Sequence, residues 1–112
     1  MSWSELHTQS EKFATEAHLA LRSGRSSDAR NLYKQAAELE QKALDLLDVT
    51  KARTRGITAV SAVALWFKAG EYTLAEQLAC SMLADSQIPA FAREELQSLV
   101  RAIWTESSKC SP

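Results

Sequence analysis

The sequence of 112 residues predicts an all-α domain of about five antiparallel helices. Three observations support this prediction. Only three glycines and two prolines interrupt the chain, the strict alternation of polar and apolar residues that is typical of strands is absent, and helix-favouring Ala, Leu, Glu, Gln, Lys and Arg dominate. A chain of this length forms one domain whose core needs neither disulfide nor metal. We therefore expect a single domain over residues 1–106 and a polar tail over 107–112.

The first helix is expected from about Ser4 to Ser23, where apolar residues recur at spacings of three, four and seven. Gly24 follows the last of these residues and suits the end of a helix. Ser27 or Asp28 is then expected to cap a second helix. The apolar residues of that helix occupy two adjacent stripes, so it should contact neighbours on two sides.

A third helix is expected over about Lys51–Ala69, after a short junction at 48–50. Its second half, from Ile57 to Phe67, is apolar on nearly all sides, which is typical of a helix in the middle of a structure. Val63 and Trp66 are therefore predicted to be almost completely buried.

Gly70 should end the third helix, and Thr73 should cap a fourth helix that reaches Leu83. Pro89 suits the first turn of a fifth helix. The apolar positions of this last helix continue to Trp104, beyond which the sequence becomes polar.

An internal repeat links the two halves of the chain, because residues 21–29 align with residues 67–75. Each stretch contains the end of a helix, a glycine turn and an alanine five residues after the glycine. In the first half Ala29, Tyr33 and Ala36 follow the turn. This pattern resembles the turn between the two helices of a tetratricopeptide repeat, in which the alanine allows close helix approach and the aromatic residue fills the adjacent groove.

The second hairpin follows the family pattern less closely. Ala75 fits, whereas Ala79 and Met82 stand at the other two positions, and on the first helices Phe13 fits but Ala59 departs. The resemblance implies two tetratricopeptide-like hairpins and a C-terminal capping helix in a right-handed α-α superhelix. Since the usual repeat has about 34 residues and this one is longer, the second and third helices should exceed the family length.

The resemblance also implies a partner-binding groove, because the first helix of each pair lines a concave surface in tetratricopeptide proteins. By spacing from each turn glycine, its residues would be Glu11, Ala14, His18, Arg22, Val60, Ala64, Phe67 and Lys68. The Lys and Asn residues with which the family clamps acidic chaperone tails are missing, so that function is not expected. The stripe on the third helix should be covered either by the fifth helix or by a partner.

The expected function is a non-catalytic adaptor or scaffold module that binds a protein or peptide. One alternative is a self-assembling helical dimer whose groove is filled by its own mate. Another is suggested by residues 29–36, which also resemble the second helix of a microtubule-interacting-and-trafficking domain, a three-helix bundle that binds a partner helix. Two further helices after the third argue against this second alternative.

No residue constellation predicts catalysis, a cofactor or a metal site. His7, Glu11 and His18 share one face of the first helix but lack the spacing of a helical metal site, so solvated side chains are expected. Cys80 lies among apolar residues and is expected to be buried and structural. The sequence contains no phosphate-binding loop and no nucleophile elbow.

The charge pattern gives no reason to expect nucleic acid or anionic lipid as partner, since the formal net charge is −1 and both signs are scattered. A basic cluster at 51–55 is interpreted as a solvated helix start. The longest apolar stretch, from Ala59 to Phe67, is far shorter than the ~20 residues that cross a bilayer. With two cysteines that are expected to stay reduced, the chain is expected to be cytoplasmic.

Overall fold

A computed structural model describes residues 1–109 of the chain, and within them five α-helices account for all regular structure. The helices are α1 (Trp3–Arg22), α2 (Ser26–Asp45), α3 (Ala52–Lys68), α4 (Tyr72–Leu83) and α5 (Ala90–Lys109). The predicted all-α class is therefore confirmed. Residues 107–109 of the expected tail continue α5, and residues 110–112, including Cys110, lie outside the described part of the chain.

The two glycine turns have the same backbone geometry. Gly24 and Gly70 both have a φ of 78°, in the left-handed region that favours glycine. In each turn the glycine N–H donates to the carbonyl three residues earlier, at 3.1 and 3.0 Å, and the next N–H donates to the carbonyl five residues earlier, at 2.9 and 3.0 Å. This pair of hydrogen bonds satisfies the last carbonyls of α1 and α3. The sequence repeat thus corresponds to a repeat of local structure.

The helices that follow these turns begin earlier than expected, and the predicted caps are wrong. Arg25 and Glu71, directly after the glycines, occupy the cap positions, and neither α2 nor α4 has a side-chain cap. Because each turn leads into the next helix within two residues, Ser27, Asp28 and Thr73 already lie inside the helices.

The fifth helix, in contrast, begins slightly later than predicted. Its first residue is Ala90, and the carbonyl of Pro89 accepts a hydrogen bond from the backbone N–H of Arg93 at 3.0 Å. Pro89 therefore occupies the cap position, one residue before the first helical position that was expected for it. Arg93 in turn donates from its guanidinium to the carbonyls of Leu83 and Asp85, which ties the start of α5 to the end of α4.

Helix α3 is central, because it packs against α2, α4 and α5, whereas α1 packs mainly against α2. Val63 is 0% exposed and Trp66 is 5% exposed, as predicted. The indole N–H of Trp66 donates to the side-chain oxygen of Gln41 at 2.8 Å, which satisfies its polar atom on burial. Ile57, at the start of the apolar run, remains exposed.

Small residues allow the helices to approach one another. Nine alanines in the described residues are completely buried: Ala17, Ala36, Ala37, Ala43, Ala59, Ala62, Ala75, Ala79 and Ala92. At Gly56, an added Cβ would lie 3.0 Å from the Cβ of Ala92 and 3.2 Å from Cδ of Pro89, so α3 and α5 come close at this point. Gly56 therefore serves helix packing, a role that its sequence context did not indicate.

The first prediction tests the central position of α3. Val63→Asp should unfold the domain, because an unpaired charge at a fully buried position costs several kcal/mol. Ile57→Asp, on the exposed side of the same helix, is the matched control and should fold. Circular dichroism and thermal melts of both variants check this. A Val63→Asp protein that melts like the wild type would contradict the central placement of α3.

The second prediction concerns the left-handed turn at Gly24. A Cβ added there has no neighbour within 4 Å, so Gly24→Ala should cost only the backbone strain of about 1–2 kcal/mol. Urea unfolding should show this loss, whereas Ser23→Ala, at the preceding exposed position, should change stability little. Equal unfolding midpoints for Gly24→Ala and the wild type would mean that the turn is not left-handed.

Candidate binding groove

A groove lies between α1 and the C-terminal end of α3, with α2 beneath it. It consists of two adjoining cavities of about 550 and 470 Å³, which share His18, Tyr33 and Lys68. Besides these shared residues, the cavity next to the Gly24 turn is lined by Leu21, Ser26, Ala29 and Arg30, and the other by Glu11, Ala14 and Thr15. We call the first the turn-end cavity, the second the far cavity, and both together the α1–α3 groove. The groove is open because α1 and α3 each pack on α2 but make few contacts with each other.

The structure brings together four of the eight residues that were predicted for a partner-binding groove. Glu11, Ala14, His18 and Lys68 line the α1–α3 groove. The remaining four, Arg22, Val60, Ala64 and Phe67, line neither cavity.

The predicted stripe on α3 is half-buried rather than open or sealed. Val60 and Phe67 pack against the hydrophobic core, and the ring of Phe67 lies 5.7 Å from that of Tyr72 on α4, between ring centroids. Phe67 therefore faces its own hairpin partner and does not reach the groove cavities. Arg22 is exposed at the end of α1.

Tyr33 of α2 is the central residue of the groove, and the sequence reasoning did not place it there. It lines both cavities although it is only 6% exposed. The ammonium nitrogen of Lys68 lies 5.8 Å from the centroid of its ring, within the range of a cation–π contact. The repeat pattern predicts that Tyr33 serves helix packing. Tyr33 also lines the groove because α1 and α3 are separated above it.

Arg30 is the second groove residue that the sequence reasoning missed. It lies one turn before Tyr33 on α2, and its guanidinium atoms would be 3.9 Å from a Cβ added at Gly70. The side chain therefore reaches across from α2 to the second glycine turn. Its position three residues before Tyr33 could have indicated this role, since residues three apart share a helix face.

The groove carries an uneven charge. His18, Arg30 and Lys68 line the turn-end cavity, which contains no carboxylate. The far cavity shares His18 and Lys68 but also contains the carboxylate of Glu11. The ion pairs within residues 1–109 include neither Arg30 nor Lys68. The turn-end cavity thus presents positive charge that no side chain of the described chain neutralises.

A separate polar cluster connects α1, α2 and α3. His7 Nδ1 lies 2.9 Å from a carboxylate oxygen of Glu40, which is 1% exposed, and His7 Nε2 lies 3.0 Å from a carboxylate oxygen of Glu11. The ring of Trp3 stacks on His7 at a centroid distance of 4.9 Å, and its indole N–H donates to the hydroxyl of Thr58 at 3.1 Å. The expectation of a solvated His7 is therefore wrong, because its main partner lies on another helix.

The third prediction follows from the pKa of His7. Burial lowers this pKa, but the hydrogen bond and charge of Glu40 and the charge of Glu11 outweigh burial and raise the pKa above its ordinary value. The stabilising contribution of the imidazolium is therefore complete below the unfolded pKa of about 6.5 and is lost as pH rises through the higher folded pKa. Urea unfolding should show wild-type stability falling over this range, and His7→Gln should flatten that slope.

His18→Gln provides the matched control, because His18 is exposed and belongs to none of the ion pairs found in residues 1–109. It should keep the pH slope of the wild type. The interpretation of the His7 cluster fails if His7→Gln and the wild type lose stability in parallel.

Cys80 is exposed, so the expectation of a buried thiol is wrong. The inward face of α4 is formed by Ala75, Ala79 and Met82, and Cys80 lies one position beyond Ala79 on the outer side. It lines a cavity of about 430 Å³ between α4 and α5. Across residues 1–109, no group of three or more His, Cys, Asp or Glu side chains is arranged to hold a metal ion, and no helix has the length and apolar character to cross a membrane.

Comparison with known proteins found no matching protein-family model, and no significant match among curated proteins or solved structures.

Proposed function

We propose that this chain is a non-catalytic adaptor module that binds a segment of another protein in the α1–α3 groove. The observation that carries the proposal is the groove itself, with cavities of about 550 and 470 Å³ joined end to end over Tyr33. Each cavity lies within the size range of ligand sites in proteins. Two joined cavities suit an extended or helical peptide, because successive side chains of one segment can enter them.

The proposal includes the tetratricopeptide-like character of the two hairpins. Its support is the equal geometry of the turns at Gly24 and Gly70 and the complete burial of Ala36 and Ala75 at the positions where the family has close helix contacts. Under this interpretation α1 and α3 are the first helices of the two pairs. Their side chains, with those of α2, line the groove.

Binding rather than catalysis is supported by the arrangement of the polar groove residues. In nucleophilic catalysis, the nucleophile and its base lie within hydrogen-bond reach of each other. The hydroxyl of Thr15 donates to the backbone carbonyl of Glu11, and among the hydrogen bonds of residues 1–109 none joins the hydroxyl of Thr15 or Ser26 to His18. The proposal further assigns the chain to the cytoplasm, where the exposed thiol of Cys80 stays reduced.

A self-assembling dimer is the second candidate, favoured by an exposed leucine in the groove. Leu21 lines the turn-end cavity and is 50% exposed. A second copy of the chain seated in the groove would bury this side chain. Light scattering of the purified chain distinguishes the candidates, since the adaptor should be a monomer and the alternative a dimer.

The fourth prediction tests groove binding with a steric block. His18→Trp places a large side chain at an exposed position shared by both cavities, so it should fill the groove without disturbing the core. Gln77→Trp, at an exposed position on α4, is the matched control. A protein that the wild type and Gln77→Trp both capture from a cell lysate, and that then binds the purified wild type directly, should be lost with His18→Trp.

Equal capture of that protein by His18→Trp would reject the groove as the binding site. A wild-type dimer that His18→Trp converts to a monomer would instead support the self-assembling alternative.

A further inference from the structure

Two cations and a histidine reach the turn-end cavity from three different helices. His18 comes from α1, Arg30 from α2 and Lys68 from α3. Arg30 lies against the glycine turn at Gly70, where a side chain on the turn would meet the guanidinium at 3.9 Å. The geometry of the hairpin turn thus leaves room for this guanidinium beside the groove.

The hydroxyl of Tyr33 is a further polar group without a partner. It takes part in none of the hydrogen bonds of residues 1–109, although the residue is more than nine-tenths buried. Every fully buried side-chain nitrogen or oxygen atom in this part of the chain has a hydrogen-bond partner. The phenolic oxygen of Tyr33 is therefore accessible from the groove, where it can donate to a ligand.

The groove also has a direction. The turn-end cavity contains only cationic charge, and the far cavity contains Glu11, whose carboxylate contacts His7 at 3.0 Å. Leu21 provides apolar surface within the turn-end cavity, and the three residues that both cavities share, His18, Tyr33 and Lys68, lie between the two ends. An elongated ligand would thus meet positive charge and apolar surface in the turn-end cavity, and negative charge only at the Glu11 end.

From this pattern we propose that the α1–α3 groove selects acidic peptide segments of other proteins. Carboxylate side chains of the segment pair with Arg30 and Lys68 in the turn-end cavity and accept a hydrogen bond from Tyr33. An apolar side chain of the same segment packs against Leu21 in the turn-end cavity, and the part of the segment that reaches Glu11 is uncharged or basic. This inference rests on the proposed function and specifies the chemistry of its partner.

The test begins with a random-peptide display library selected on the full-length chain. Selected peptides should be enriched in Asp and Glu relative to the starting library, with an apolar residue next to the acidic ones. A selected peptide is then synthesised with a fluorescent label, and its affinity is measured by polarisation. Since each exposed ion pair contributes modestly, Arg30→Gln/Lys68→Gln should weaken binding by about two- to thirtyfold.

Lys12→Gln/Arg101→Gln is the matched control, because it removes one lysine and one arginine at exposed positions outside the groove. It changes the net charge equally and should keep wild-type affinity. Tyr33→Phe removes only the hydroxyl and should also weaken binding of the acidic peptide. Raising the salt concentration should weaken binding to the wild type more than to Arg30→Gln/Lys68→Gln.

Selected peptides without acidic enrichment overturn the inference, and so does a library that yields no binder. Equal affinity of the wild type and Arg30→Gln/Lys68→Gln for an acidic peptide also overturns it. The proposed function is judged separately. If neutral peptides are selected and His18→Trp abolishes their binding, the groove remains a peptide site and only its acidic selectivity is wrong. If His18→Trp leaves binding unchanged, both proposals fail.

Discussion

The left-handed backbone of Gly24 and Gly70 is the constraint on which both helical hairpins depend. At a φ of 78° each glycine reverses the chain within a few residues, and the hydrogen bonds of each turn satisfy the carbonyls at the end of the preceding helix. The following helix begins at once, and α1 packs against α2 and α3 against α4. The buried alanines then set how closely these helices approach, because a larger side chain would force the pairs apart.

The groove is a consequence of how the two hairpins share α2. Helix α3 turns its most apolar side toward α2, α4 and α5, while α1 packs mainly on α2. The space left between α1 and α3 exposes a strip of α2 that includes Arg30 and Tyr33. Tyr33, whose position in the repeat predicts helix packing, therefore also forms the floor of the groove, and α2 stays a regular helix there.

The sequence was sufficient for features that depend on local pattern, and insufficient for those that depend on contacts between helices. Five helices, the glycine turns and the burial of Val63 and Trp66 follow from periodicity and residue type. The partner of His7 did not follow, because Glu40 lies on another helix and only the packing of α1 on α2 brings them together. The roles of Arg30 and Tyr33 in the groove were missed for the same reason.

The buried carboxylate of the His7 cluster has an oppositely charged partner, whereas within residues 1–109 the cations of the groove have none. Glu40 is buried, and the structure provides it with His7 as counter-charge, since a buried unpaired carboxylate is costly. Arg30 and Lys68 remain hydrated at the edge of the groove, so the fold tolerates them without a partner at little cost. The His7–Glu40 pair therefore contributes to the stability of the fold. Fold stability gives no corresponding reason for Arg30 and Lys68 to converge on one cavity. Two cations that line one cavity without stabilising the fold are typical of a surface that binds an oppositely charged partner.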